Sequence, residues 1–237
     1  MNLILLNQND FIAENQVRLT GRRLEHIRTV HRAESESHLK VGLLNGKIGY
    51  GIISQIEPDF VELTTTFDQS PPEILPVTLL LALPRPKMLK RVLQSVTSLG
   101  VKQIYLFNSF RVEKSFWSSP ILQPEKRHEQ LLLGLEQARD TMLPEVHLRQ
   151  RFKPFVEDEL PELCQGTKAL VAHPTSAKGA LLEPNLPTTL AIGPEGGFIP
   201  YEIDMLVACG FIPFSLGERI LRVETAVPVL LSQMLPF

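Results

Sequence analysis

Between Thr188 and Val229 the chain reads TTLAIGPEGGFIPYEIDMLVACGFIPFSLGERILRVETAVPV, two short apolar runs that each end in glycine. Leu190-Ala191-Ile192 is too short for a helix and stops at Gly193-Pro194, so it reads as a buried strand of parallel type entering a tight turn. Gly196 and Gly197 admit backbone angles closed to other residues and let a ligand approach the main chain. Pro200 suits the first turn of a helix running from Tyr201 to Cys209. A second strand, Phe211 to Leu216, ends at Gly217. Two strand ends that open into glycine-rich loops are what a crevice at the carboxyl edge of a parallel sheet requires. No Gly-Lys-Ser/Thr follows and no GxGxxG fingerprint is present. Phosphate cradling is therefore poorly supported, which leaves main-chain hydrogen bonding to a base or a carboxylate.

The remaining chain supplies a frame for that crevice. From residue 77 onward strands alternate with helices: Val77 to Leu83, an amphipathic helix through Leu89, Val92, Leu93, Val96 and Leu99 that stops at Gly100, then Lys102 to Asn108. A strand, a helix and a strand in this order begin a parallel α/β sheet. Pro124 to Leu143 reads as a long helix, and Lys168 to Ala172 as a strand that ends at His173-Pro174, where a third ligand loop is expected. Thr225 is a good N-cap for the apolar C-terminal helix, with Pro228 in its first turn.

Ahead of this lies a small β domain. Asn2 to Leu6 is an apolar strand, Asn45-Gly46 sits between Leu43-Leu44 and Ile48 as a hairpin turn, and Phe60 to Thr66 is a further strand. A short helix spans about Arg22 to Val30. Ser70-Pro71-Pro72-Glu73 stiffens the connection, so the expected organisation is a domain over 1–70, a linker over 71–76 and a second domain over 77–237.

The 237 residues, 43% of them hydrophobic, suit one or two soluble domains. No apolar run has membrane-span length and MNLILLNQNDF lacks the flanks of a signal peptide, so a cytoplasmic protein without membrane association is expected. Cys164 and Cys209 lack metal-ligand spacing, and neither a metal nor a disulfide is expected. A net charge of −2 does not announce a nucleic-acid binder. Its distribution does more: Arg18, Arg22, Arg23, Arg28 and Arg32 stand against one acid, Glu25, with His26 and His31 interleaved. That cluster suits a phosphate backbone, the alternative being a solvated helix face.

IGPEGG at 192–197 and LGERILRVETA at 216–226 resemble the two C-terminal signatures of the RsmE family, the 16S rRNA uridine N3-methyltransferases of the SPOUT superfamily. Gln94 to Val101, QSVTSLGV, is similar to a third family segment, with Ser95 and Ser98 at positions usually polar or charged. Glu136-Gln137-Ala138-Arg139-Asp140 resembles a fourth, in which Asp140 takes the family's arginine position. Arg139, the nearest cation, then stands one residue early, about 100° around a helix of 3.6 residues per turn. The resemblance implies a PUA-like β domain that binds RNA, followed by a SPOUT domain with a deep trefoil knot. It further implies a homodimer and an S-adenosylmethionine site between three crossing loops.

Carried over residue by residue, the cofactor loops are His173 and Pro174, then Ile192, Gly193, Gly196 and Gly197, then Leu216, Gly217, Ile220, Leu221, Thr225 and Ala226. RNA contacts fall to Arg18, Arg22, Arg23, Arg28, Arg32 and Arg139. For the reaction, N3 of uridine must lose a proton while charge builds on the ring. Arg222 is the candidate to hold a uracil carbonyl oxygen through its planar fork. Glu224, two residues on and on the same face if the junction is extended, is the candidate base, a role that needs burial. A mutual salt bridge or a helix-start carboxylate is the plainer reading of that pair. A SPOUT methyltransferase acting on another RNA, or an RNA-binding homologue without activity, is the alternative to the whole.

Overall fold

A computed structural model of the chain describes residues 2–31, 34–174 and 183–235. Two compact units emerge, one of Met1–Glu73 with Leu132–Leu143, the other of Ile74–Leu131 with Pro144–Phe237. Among the described residues no helix is long and apolar enough to cross a membrane.

The first unit is built on a six-stranded sheet of β1 (Ile4–Leu6), β2 (Phe11–Ala13), β3 (Gln16–Leu19), β4 (His38–Leu43), β5 (Ile48–Ile56) and β6 (Val61–Gln69), in the order β1-β4-β5-β6-β3-β2. Only the β1–β4 pairing is parallel. Helix α1 (Gly21–His26) runs on into a π-helical turn, Ile27–His31. The apolar run at β1 has a direct cause in its two buried faces. Ile4 and Leu6 join Val17, Leu19, Leu24 and Ile27 in one core, while Leu3 and Leu5 pack with Ile48 and Leu135 in another. At the β4–β5 hairpin Asn45 takes the left-handed angle (φ 58°) and its side chain accepts from the Leu143 amide at 2.9 Å.

The second unit is a wholly parallel six-stranded sheet with the order β12-β10-β11-β7-β8-β9. Its strands are β7 (Leu75–Ala82), β8 (Val101–Phe107), β9 (Glu145–Arg149), β10 (Lys168–Ala172), β11 (Thr188–Ile192) and β12 (Ile212–Phe214). The expected α/β domain behind a β domain is therefore the fold, with β11 fully buried near the middle of the sheet, as its unbroken apolar run requires. The helices are α2 (Pro86–Ser98), α3 (Pro124–Ala138), the short α4 (Phe152–Pro154) and α5 (Leu160–Leu163) joined by a π-helical turn, α6 (Pro200–Ala208) and α7 (Val223–Ser232).

Two helix ends depart from the sequence reading. The helix expected to reach Leu143 stops at Ala138, where Arg139 turns left-handed (φ 58°) and the Asp140 amide bonds back to the Leu135 carbonyl at 3.0 Å. This six-to-one bond around a left-handed residue is a Schellman close, made here without the usual glycine. Arg139 is thus off the helix, and the rotation by one helical position does not apply to it. The last helix begins at Val223 rather than Thr225, with Arg222 as the extended N-cap (φ −68°, ψ 152°). Pro228 consequently lies in the second turn, where its missing amide leaves the Glu224 carbonyl without its helical donor.

Candidate functional site

Because β12, β10 and β11 are neighbours and parallel, the loops at their carboxyl ends meet. They enclose a cavity of about 300 Å³, at the lower end of the range for small-molecule pockets. Ala172, His173 and Pro174 form one wall. Ile192 to Phe198 form the second, and Phe214 to Leu221 supply the third apart from Glu218. Val223, Ala226 and Leu230 of α7 close the floor.

Geometry gives the glycines of the second wall separate reasons. A tight turn is closed by the Gly197 amide donating to the Pro194 carbonyl at 2.8 Å, and only Gly197 holds the left-handed angle, φ 73°. Gly196 has no such angle, contrary to the sequence reading; a Cβ there would lie 2.9 Å from Cδ of Arg111, whose guanidinium donates to the Gly196 carbonyl. At Gly193 a Cβ would stand 3.2 Å from the Phe198 ring. The loop is anchored to α6 by Glu202, which is 2% exposed. One carboxylate oxygen accepts from the Ile199 amide at 3.0 Å and the other from the Phe110 amide at 2.7 Å, so the loop after β8 is tied to the same helix start. Sequence reading missed Glu202, Phe110 and Arg111. The Pro-x-Glu pattern at 200–202, which puts a carboxylate at N3, was the available signal.

His173 anchors the first wall by donating its amide to the Phe214 carbonyl at 2.8 Å. Its Nδ1 is buried and has no partner among the described residues, and burial pushes the imidazole below its ordinary value, toward the neutral form. The sign of the consequence follows. As pH falls through the ordinary histidine value of about 6.5, the unfolded chain takes up a proton before the folded one does, so stability declines. His173→Gln should flatten this acid-side decline in denaturant titrations between about pH 7 and pH 5; an unchanged slope would show that the ring is free to charge.

Arg222 and Glu224 do not line the cavity, although their neighbours Leu221 and Val223 do. Arg222 is exposed and Glu224 partly buried in the first turn of α7, and they form no ion pair with each other. They do not share a face in the expected way, since the helix starts between them. Thr225 is exposed and outside the cavity wall, whereas Ala226 belongs to it.

The arginines of the first unit are largely engaged by carboxylates. Arg18 meets Glu62 at 2.6 Å and lies over the Phe60 ring. Arg22 makes a two-pronged pair with Glu136 at 2.7 and 2.9 Å, and Arg23 another with Asp10 at 2.6 Å. Among the described residues Arg28 bonds a carbonyl, that of Pro58, at 2.9 Å, and no carboxylate. Arg32 lies outside the described residues. Arg22 and Arg23 therefore act as structural ties through these pairs. Glu136 is 3% exposed, and Arg22→Ala would strand a buried acceptor. The expected loss is about 1–3 kcal/mol of stability, measured by denaturant unfolding; a loss below measurement would mean that Glu136 finds another donor.

Comparison with known proteins bears on what the cavity serves. Residues 71–235 match the RNA methyltransferase domain family. The chain is 30% identical over 233 residues to ribosomal RNA small subunit methyltransferase E of Treponema pallidum, covering 95% of this chain and 87% of that one. It is 25% identical to ribosomal RNA small subunit methyltransferase E 1 of Borreliella burgdorferi, covering 95% and 94%. In fold it is similar to the crystal structure of a ribosomal RNA small subunit methyltransferase E from Neisseria gonorrhoeae bound to S-adenosyl methionine. The TM-score is 0.78 at 20% identity, with 98% of this chain and 95% of that one covered.

Proposed function

We propose that this chain, which belongs to the family of ribosomal RNA small subunit methyltransferase E, binds S-adenosylmethionine in the three-loop cavity and methylates N3 of a uridine in 16S rRNA of the small ribosomal subunit. The observation that carries this reading is the cavity itself, formed where three adjacent parallel strands end. Its fit to the cofactor rests on the open space that a Cβ at Gly197 would enter, an apolar floor, and a buried ring nitrogen on His173 that has no partner among the described residues; Gly193 and Gly196 contribute through the tight packing of the loop on Phe198 and Arg111. Pro174, Ile192, Leu216, Gly217, Ile220, Leu221 and Ala226 complete the proposed contacts; Thr225 stays at their margin. The trefoil crossing of these loops and a cytoplasmic location belong to the same reading.

The cofactor supplies a methyl group on a sulfonium, which needs placement more than activation. The chain must take the proton from N3 and hold the charge that develops on the uracil oxygens. Arg222 suits the second task, because the residue is exposed and lacks an ion pair among the described residues, and its main chain is fixed beside the cavity floor by a carbonyl that accepts from Thr225 and Ala226 at 2.9 and 2.8 Å. Glu224 is the proposed proton acceptor. Its partial burial leaves an open flank, which the homodimer implied by the family resemblance would cover. Arg18, Arg28 and Arg139, each exposed, are carried forward as outlying RNA contacts.

Calorimetry with S-adenosylmethionine, followed by labelled-methyl transfer to small subunits and to unrelated RNAs, tests the reading. Cofactor binding with transfer confined to the small subunit is expected. Binding of RNA without the cofactor would identify an inactive homologue, and transfer to another RNA would move the target.

A further inference from the structure

We propose that the first two turns of α2 form a phosphate-binding surface that holds the RNA strand beside the cavity. The ligand class rests on the methyltransferase reading above; the surface itself rests on charge and placement.

No Asp or Glu occurs between Glu73 and Glu113, and into this stretch fall Arg85, Lys87, Lys90 and Arg91. Leu89, Val92, Leu93 and Val96 turn inward and are buried, so all four cations are exposed. Lys87, Lys90 and Arg91, spaced by three and four residues, share one face. None of the four side chains has an ion pair among the described residues, in contrast to Arg18, Arg22 and Arg23.

This arrangement works against the helix that carries it. A helix start is electropositive and is stabilised by acids; the first turn of α2 holds none and instead holds Lys87, while the Glu195 carboxylate that caps the Arg85 amide forms no ion pair, among the described residues, with any of the four cations. A merely solvated face would mix both signs. An anion from outside resolves the repulsion, and phosphate oxygens are the anions that RNA presents.

Placement ties the surface to the cavity. The Arg85 amide donates to the Glu195 carboxylate at 3.0 Å, and Glu195 belongs to the cavity's second wall. On the third loop, which shares the cavity with Glu195, Arg219 and Arg222 are exposed and outnumber the one exposed acid there, Glu218. A strand lying along α2 would thus bring a base to the opening while its phosphates stay on the cations.

The test is the triple variant Lys87→Ala, Lys90→Ala, Arg91→Ala, titrated with RNA of the small subunit over a range of salt. Removing three phosphate contacts should lower the slope of log affinity against log salt by roughly 2, with affinity near physiological salt down on the order of tenfold or more. Cofactor affinity and melting temperature should hold, and Lys87→Arg, Lys90→Arg should keep the parental slope. An unmoved slope and affinity in the triple variant overturns the proposal, as does a selective loss of binding to an acidic polypeptide with RNA binding intact. If the parent chain transfers no methyl group yet the slope falls as expected, the surface stands and the methyltransferase reading fails. If transfer is normal and the slope is unmoved, the reverse holds.

Discussion

Arg222→Lys lowers the single-turnover rate of methyl transfer to small subunits by roughly 10²-fold or more, the loss typical of removing one oxyanion-type donor. The substitution keeps the charge and loses the planar fork, so it separates point-charge attraction from shaped hydrogen bonding. Cofactor and RNA affinities, measured separately, should hardly move, because the interaction acts on charge that exists mainly in the transition state. The structure sharpens the expectation: Arg222 is exposed and has no carboxylate partner among the described residues, so stability should hold. A normal rate, or outright loss of cofactor binding, would make Arg222 a structural N-cap residue and nothing more.

Gly197→Val should reduce affinity for S-adenosylmethionine by at least tenfold, about 1.4 kcal/mol, with the fold retained. Two effects act together there. At φ 73° any branched side chain is strained, and a Cβ meets nothing closer than Nη1 of Arg111 at 4.0 Å, so the side chain stands in open space at the cavity wall. Gly197→Asn separates them, since asparagine tolerates the left-handed angle while still adding bulk. If calorimetry finds the Val variant folded and binding with parental affinity, the second loop does not approach the cofactor.

Much of this site could be read from the chain because its determinants are local. Apolar runs that stop at glycine marked β11 and β12, and His173-Pro174 marked the end of β10, so the three walls were legible as strand ends. Asn45-Gly46 located the hairpin, although only Asn45 takes a left-handed angle. What escaped was long-range or marginal. The partners of Arg18, Arg22 and Arg23 are Glu62, Glu136 and Asp10, and no local pattern foretells that Glu136 is buried beneath Arg22. Strand β9 is an edge strand whose alternation of Glu145, His147 and Arg149 with Val146 and Leu148 is short and half-buried, a weak signal beside the full apolar runs. The end of α3 at Ala138 was hidden because arginine occupies a left-handed position that normally announces itself as glycine. The acid-free stretch from Ile74 to Val112 was visible in the sequence, but its meaning depended on seeing Arg85, Lys87, Lys90 and Arg91 exposed and without an ion pair among the described residues, beside the Glu195 loop.

Transfer of labelled methyl from S-adenosylmethionine to small subunits lacking the modification, followed by digestion and nucleoside analysis, tests the central claim most directly. The expected result is label in N3-methyluridine alone, dependent on Arg222. Label in another nucleoside, or no transfer by a chain that binds the cofactor and the subunit, would contradict it.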